Sequence, residues 1–223
     1  YEEFPRGGRF SASCSCVTID VSLCGKTKRY REREKMEENS SYLTGQLLIA
    51  MPGMPDPRFA KTVIYLCAHN ADGAMGLVIN KALENVTFPD LLEQLGIDVP
   101  TSEERIKVHF GGPVEADRGF VLHSADYAQD ATLMVDDHVA LTATIDILKA
   151  IAGGHGPHNS LLVLGYAGWS PGQLDQEIKQ NGWLHVEADD MLLFDNDLAS
   201  KWDQAMGKLG IDPSLLSDTT GHA

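Results

Sequence analysis

Residues 60–81 read AKTVIYLCAHNADGAMGLVINK, and this stretch decides the fold class. Val63, Ile64, Tyr65, Leu66 and Cys67 form one short run rich in β-branched and aromatic side chains, and Leu77, Val78 and Ile79 form a second. Between them stand Asn70, Asp72, Gly73 and Gly76, residues that favour tight turns. Strand, turn, strand is the reading. Because both runs are mostly apolar, they predict a sheet buried on at least part of both faces.

Working outward, Leu47–Ala50 predicts a further buried strand, ended by Pro52-Gly53. Thr87 predicts the N-cap of a helix through Leu95, with Pro89 and Asp90 in its first turn and Gly96 as its stop. Val108–Phe110 is a strand running into Gly111-Gly112-Pro113, and Phe120–Leu122 is another, after Arg118-Gly119. Two short strands, Leu133–Val135 and Val139–Leu141, flank a turn at Asp136-Asp137-His138. Thr144 opens a helix through Ala152, closed by Gly153-Gly154. Leu161–Leu164 is a buried strand ending at Gly165, followed by an aromatic loop. Ser170 and Gln173 then predict a capping box for the next helix, with Pro171 at its first position. Trp183–Val186 and Met191–Phe194 read as strands. Leu198, Trp202, Ala205, Met206 and Leu209 mark a last amphipathic helix, stopped by Gly210. About eight or nine strands and about four helices, without strict βα alternation, predict one α+β domain rather than a doubly wound sheet.

The 223 residues carry a formal charge of −14, unevenly spread. Residues 1–35 hold eight of the 18 Lys/Arg and five of the 32 Asp/Glu, leaving −17 on the remainder. Such a surface repels phosphate backbones, so direct nucleic-acid binding is not expected. No apolar run approaches the roughly 20 residues of a transmembrane helix, and no membrane role is expected. Cys14, Cys16 and Cys24 lie in the first 35 residues, which leaves Cys67 as the single thiol of the body, the usage of a reducing compartment. Residues 1–35 show no sustained helical or strand period. They read as a flexible extension upstream of a natural start at Met36, with the domain spanning 36–223.

Three blocks carry a resemblance: LLIAMPGMPDPRFAKTVIYLCAHNADGAMGLVINK (47–81), GGPVEADRGFVLH (111–123) and LGYAGWSPGQLDQEIKQNGWL (164–184). In order and spacing they resemble the signature blocks of the bacterial YqgE/AlgH family, as does the ending Gly221-His222-Ala223. The resemblance implies a cytoplasmic protein whose mostly antiparallel, branched sheet curls into an incomplete barrel. It implies no established catalytic residue and no cofactor. It carries a transcriptional-regulator label, attached through one member linked to control of alginate synthesis.

The residues themselves offer two classes of function. One is a non-enzymatic binding or regulatory module that contacts a protein partner or a small polar ligand. The other is an enzyme or redox sensor built on Cys67, with His69 two residues on and on the same strand face at roughly 6–7 Å. A buried, cation-free thiol is the plainer account of Cys67. No P-loop, dinucleotide fingerprint, GxSxG, HExxH or CxxC is present, and the eight histidines are scattered, so no metal site is expected. If a binding site exists, it is expected where three glycine-bearing turns meet: Asn70–Gly76, Gly111–Arg118 and Gly165–Gln173. The candidate residues are Asn70, Gly73, Gly76, Gly111, Gly112, Arg118, Tyr166, Trp169 and Gln173. Backbone N–H groups, the Arg118 cation and two aromatic faces suit a small polar or anionic group, or a peptide bearing one.

Overall fold

The computed structural model describes residues 42–97 and 106–212. The extension read at 1–35, the start at Met36 and the ending 221–223 lie outside the described residues. Ten strands and five helices are described. The strands are β1 Gln46–Ala50, β2 Val63–Asn70, β3 Gly73–Val78, β4 Ala82–Thr87, β5 Lys107–Phe110, β6 Val114–Ser124, β7 Leu133–Met134, β8 Val139–Thr142, β9 Ser160–Trp169 and β10 Trp183–Glu187. The helices are α1 Phe88–Gln94, α2 Ile145–Ala152, α3 Gln173–Lys179, α4 Asp190–Phe194 and α5 Lys201–Lys208.

The main sheet runs β10-β1-β2-β3-β9-β6-β8-β7, antiparallel at every step. A short β4–β5 ribbon branches off, and β5 lies parallel to β9. Side chains alternate across a strand, and here the alternation sorts them into two cores. Leu47, Ile49, Val63, Tyr65 and Cys67 enter one cluster, while Leu48, Ala50, Ile64 and Leu66 enter another. The first cluster also takes Leu122 from β6, Val139 and Leu141 from β8, and Leu161 and Val163 from β9. Strands from both ends of the sheet can share one cluster only if the sheet curls around it. The result is a single α+β domain with a half-barrel sheet. The Tyr65 hydroxyl donates to the Asp136 carboxylate at 2.7 Å, tying β2 to the β7–β8 turn across the open side. Helices α4 and α5 fill the interior with Leu192, Leu193, Trp202, Ala205 and Met206, and the Trp202 indole N–H donates to the Ala50 carbonyl. Helices α1 and α2 cover a third cluster around Val108, Val121 and Leu162.

Strand β9 is the hub, paired with β3, β5 and β6. The sequence reading ended this strand at Gly165 and made the following residues a loop; the strand in fact continues to Trp169. Gly165 has φ +71, which interrupts the pleat without ending the strand. Leu161 and Val163 face the interior before it, while Ala167 and Trp169 join the outer cluster after it. Gly111 and Gly112 pack backbone-to-backbone against this kink. A Cβ on Gly112, at φ +154, would stand 2.1 Å from the Tyr166 carbonyl carbon.

Two other local readings change. Met191–Phe194 is the helix α4, because the Asp189 side chain accepts the Leu192 N–H and caps it. Helix α3 starts two residues later than the Ser170 cap implied: Gly172, at φ +70, is its N-cap, and Ser170–Gln173 is a turn. The Gln173 side chain still reaches back to accept the Ser170 N–H at 3.0 Å. By contrast, Thr87 makes the expected cap on α1, in a reciprocal box with Asp90.

Candidate functional site

The end of β9, the β2–β3 turn and the start of β6 frame an open groove of about 680 Å³. Asn70, Asp72 and Gly73 line it from the turn, Glu115, Arg118 and Phe120 from β6, and Tyr166, Trp169 and Ser170 from β9 and its exit. Three features fix these positions. The Asn70 side chain accepts the Asp72 N–H and closes the β2–β3 turn. Gly73 fits because a Cβ there would meet the Trp169 carbonyl oxygen at 2.4 Å. Strand β6 bulges outward, pairing Val114 with Tyr166 and then resuming only at Gly119 with Leu164. Residues 115–118 therefore project from the sheet, with Glu115 in left-handed backbone at φ +46, a conformation that is strained for a non-glycine residue.

That bulge organises the groove's charges. The Arg118 guanidinium donates to Glu115 Oε2 at 2.9 Å and lies 5.1 Å from the Phe120 ring centroid. Tyr166 donates to Glu115 Oε1 at 3.3 Å and packs edge-on against Phe120. Hydrogen bonding from Arg118, assisted by Tyr166, holds the Glu115 carboxyl below the usual carboxylate range. The Arg118–Glu115 pair thus brings a planar donor surface to the groove but no net charge.

Of the sequence candidates, Asn70, Gly73, Arg118, Tyr166 and Trp169 share this groove. Gly76, Gly111 and Gly112 do not line it. Each is buried where strands approach closely: a Cβ would lie 2.6 Å from Ile64 Cγ2 at Gly76 and 2.2 Å from the Gly165 carbonyl oxygen at Gly111. The Val78 N–H donates to the Gly111 carbonyl. Gln173 lines a neighbouring cleft, where its amide donates to Glu177 Oε1. Met75, Glu115 and Phe120 join the groove without having been singled out by sequence. Only the Glu-x-x-Arg spacing of Glu115 and Arg118 signals their pairing beforehand.

Cys67 and His69 do not pair. A register shift between Leu66 and Ala68 breaks the alternation that would have kept them on one face. Cys67 enters the interior cluster, 2% exposed, and burial pushes its thiol far above the ordinary cysteine range. His69 Nδ1 accepts the Leu43 N–H at 3.1 Å, and its Nε2 faces Asp175 of α3 at 3.9 Å. Burial lowers the His69 pKa, with Asp175 opposing. No group of three or more metal-ligating side chains forms among the described residues. His158 instead pairs with Asp126 at 2.7 Å on the surface. Among the described residues no helix is long and apolar enough to cross a membrane.

A family model described as DUF179, AlgH-like, matches residues 47–214. The chain belongs to the AlgH-like family. A UPF0301 protein of Rhodospirillum rubrum is 57% identical over 188 residues, spanning 84% of this chain and 98% of the relative. A UPF0301 protein of Rhodopseudomonas palustris strain HaA2 is 55% identical, spanning 83% and 89%. The solution structure of the AlgH protein from Pseudomonas aeruginosa superposes with a TM-score of 0.68 at 45% identity, covering 82% of this chain and 97% of that one. A crystal structure of a Corynebacterium diphtheriae protein, with a TM-score of 0.60 at 20% identity and coverages of 74% and 85%, shares the fold. All three blocks that carried the YqgE/AlgH resemblance lie within the matched segment of this AlgH-like chain.

Proposed function

We propose that this AlgH-like chain is a non-enzymatic binding and regulatory module of the cytoplasm, and that the β2–β3/β6/β9 groove is where it engages a small polar ligand or a short peptide. The observation that carries this reading is the convergence of Arg118, Tyr166, Trp169 and the Asn70–Gly73 turn around one groove. All are set on adjoining strands of one sheet, the kind of frame that pre-orders a binding surface. Redox sensing finds less support, since a thiolate at Cys67 would have to form in the core. With −17 on residues 36–223, any effect on transcription runs through a protein or a signalling ligand rather than direct contact with DNA.

The test is capture of partners and metabolites from a cell extract by the full chain, compared with Arg118→Ala. This substitution is chosen because Arg118 is exposed, and a solvent-screened surface ion pair contributes little to the fold. Trp169→Ala is unsuitable, since the ring is buried and its loss would cost about 3–5 kcal/mol. A species enriched on the parent chain should fall at least several-fold on Arg118→Ala with the melting midpoint held. Undiminished capture by the folded variant would remove the groove from the account.

A further inference from the structure

A second cleft adjoins the groove at Val114, Gly168 and Trp169, and Arg118 does not line it. It is about 470 Å³, bounded by the loop that carries Met54 and Phe59, by the end of β9 and by α3. Its wall is aromatic. Trp169 and Trp183 pack edge-to-face at 6.0 Å between ring centroids, and Phe59 packs on Trp183 at 5.7 Å. Of the cleft's two carboxylates, Asp56 and Glu177, it is Glu177 that meets this wall. Both indoles donate to Glu177 Oε2, Trp169 at 2.9 Å and Trp183 at 2.8 Å, while the Gln173 amide donates to Oε1 at 2.9 Å.

All three donors are neutral, and Glu177 has no cation within ion-pair distance among the described residues. The cleft's arginine, Arg58, lies 5.9 Å from the Phe59 ring centroid and is paired with Asp56, which also lines the cleft. Its guanidinium forks onto Asp56, with Nη2 to Oδ2 at 2.7 Å and Nε to both oxygens at 3.1 Å. Lys81 lies outside the lining and donates its ammonium to the Arg58 carbonyl. With Arg58 and Asp56 cancelling, the lining is left with one uncompensated negative charge set in an aromatic wall.

We infer that this cleft binds an organic cation, an alkylammonium or guanidinium group held against Glu177 with its carbon stem along Trp169, Trp183 and Phe59. Aromatic walls with a carboxylate at one side suit such ions, because the fixed charge favours the cationic head while the rings desolvate its carbon stem. The inference goes beyond the Arg118 groove and stands without it. The source of the cation is either a Lys or Arg side chain of a peptide or a free polyamine.

The experiment titrates the full chain with acetyl-lysine amide, acetyl-arginine amide, spermidine and, as the opposite charge, acetyl-glutamate amide. The readout is the indole N–H resonances of Trp169 and Trp183, with Trp202, set in the interior, as the internal control. Saturable shifts of the two cleft indoles with a cation, absent with the anion, are expected. Glu177→Gln should weaken that binding at least tenfold, and Gln180→Lys, an exposed rim substitution that adds a competing cation, at least threefold. A response to spermidine alone assigns a polyamine; a response to the amino-acid amides assigns a side chain. Equal or stronger shifts with the anion, no shift with any cation, or unchanged affinity in folded Gln180→Lys would each overturn the inference. Arg118→Ala should leave the Trp183 shift unchanged, because Trp183 lines the cleft and not the groove, so failure here is distinct from failure of the groove.

Discussion

Mild acid should weaken this fold through His109, and by a calculable amount. His109 lies on β5, against β9, 5% exposed, with Nδ1 3.1 Å from the Leu162 carbonyl. Burial is the main force pushing its pKa down from 6.5 to about 4, and Lys201 and Lys107 add repulsion against the hydrogen bond to Leu162. Between those two values the unfolded chain holds a proton that the folded chain refuses. The unfolded state therefore binds more protons, and stability falls as pH drops through that window. It is fully present above about pH 6.5 and lost progressively as pH approaches 4. At roughly 1.4 kcal/mol per pH unit, the loss is about 3 kcal/mol, a large share of the stability of a domain this size. Burial lowers the His69 and His123 pKa values in the same direction and adds to the effect. Urea unfolding at a series of pH values between 7 and 4, on the parent and on His109→Asn, isolates the ring. The Asn amide can keep the donor to Leu162 while removing the titration. The parent should lose about 2–3 kcal/mol more than the variant across the window. Parallel losses, within about 0.5 kcal/mol, would refute the reasoning.

Two further outcomes are expected. Gly112→Ala should cost several kcal/mol or abolish folding, because its Cβ would overlap the Tyr166 carbonyl; a melting midpoint within a degree or two of the parent would show that β9 can yield there. Cys67 should react with iodoacetamide near neutral pH only on the timescale of unfolding, given its burial and raised pKa; rapid labelling of the native protein would mean that the core opens at β2.

The elements most legible in the sequence were those with a single local cause. Thr87 with Asp90 marks a helix start, and continuous apolar runs mark β1, β2 and the first half of β9. What was hidden depended on pairing. Met191–Phe194 has strand composition, but Asp189 supplies a cap that composition does not weigh. The bulge at Leu66/Ala68 and the kink at Gly165 each change which face a residue takes, and nothing in the local pattern fixes their register. The candidate site divides the same way. Asn70, Gly73, Arg118, Tyr166 and Trp169 sit on the groove, whereas Gly111 and Gly112 serve the backbone contacts that hold β9 in place and Gly76 gives room to Ile64 and Tyr65 of β2. The role of Glu177 was invisible because its partners, Trp169 and Trp183, are brought together only by β9, α3 and β10.

The central place of β9 also bears on how the chain is made. Its three partner strands, β3, β5 and β6, all precede it in sequence, and none of the three pairs with another. A nascent chain leaving the ribosome therefore has three groups of strands with no common seam until residues 160–169 emerge. Until then each group presents an unpaired edge to its surroundings. Synthesis of one ten-residue segment converts those separate pieces into a single sheet, so the hazard of premature association is concentrated in the interval before it appears.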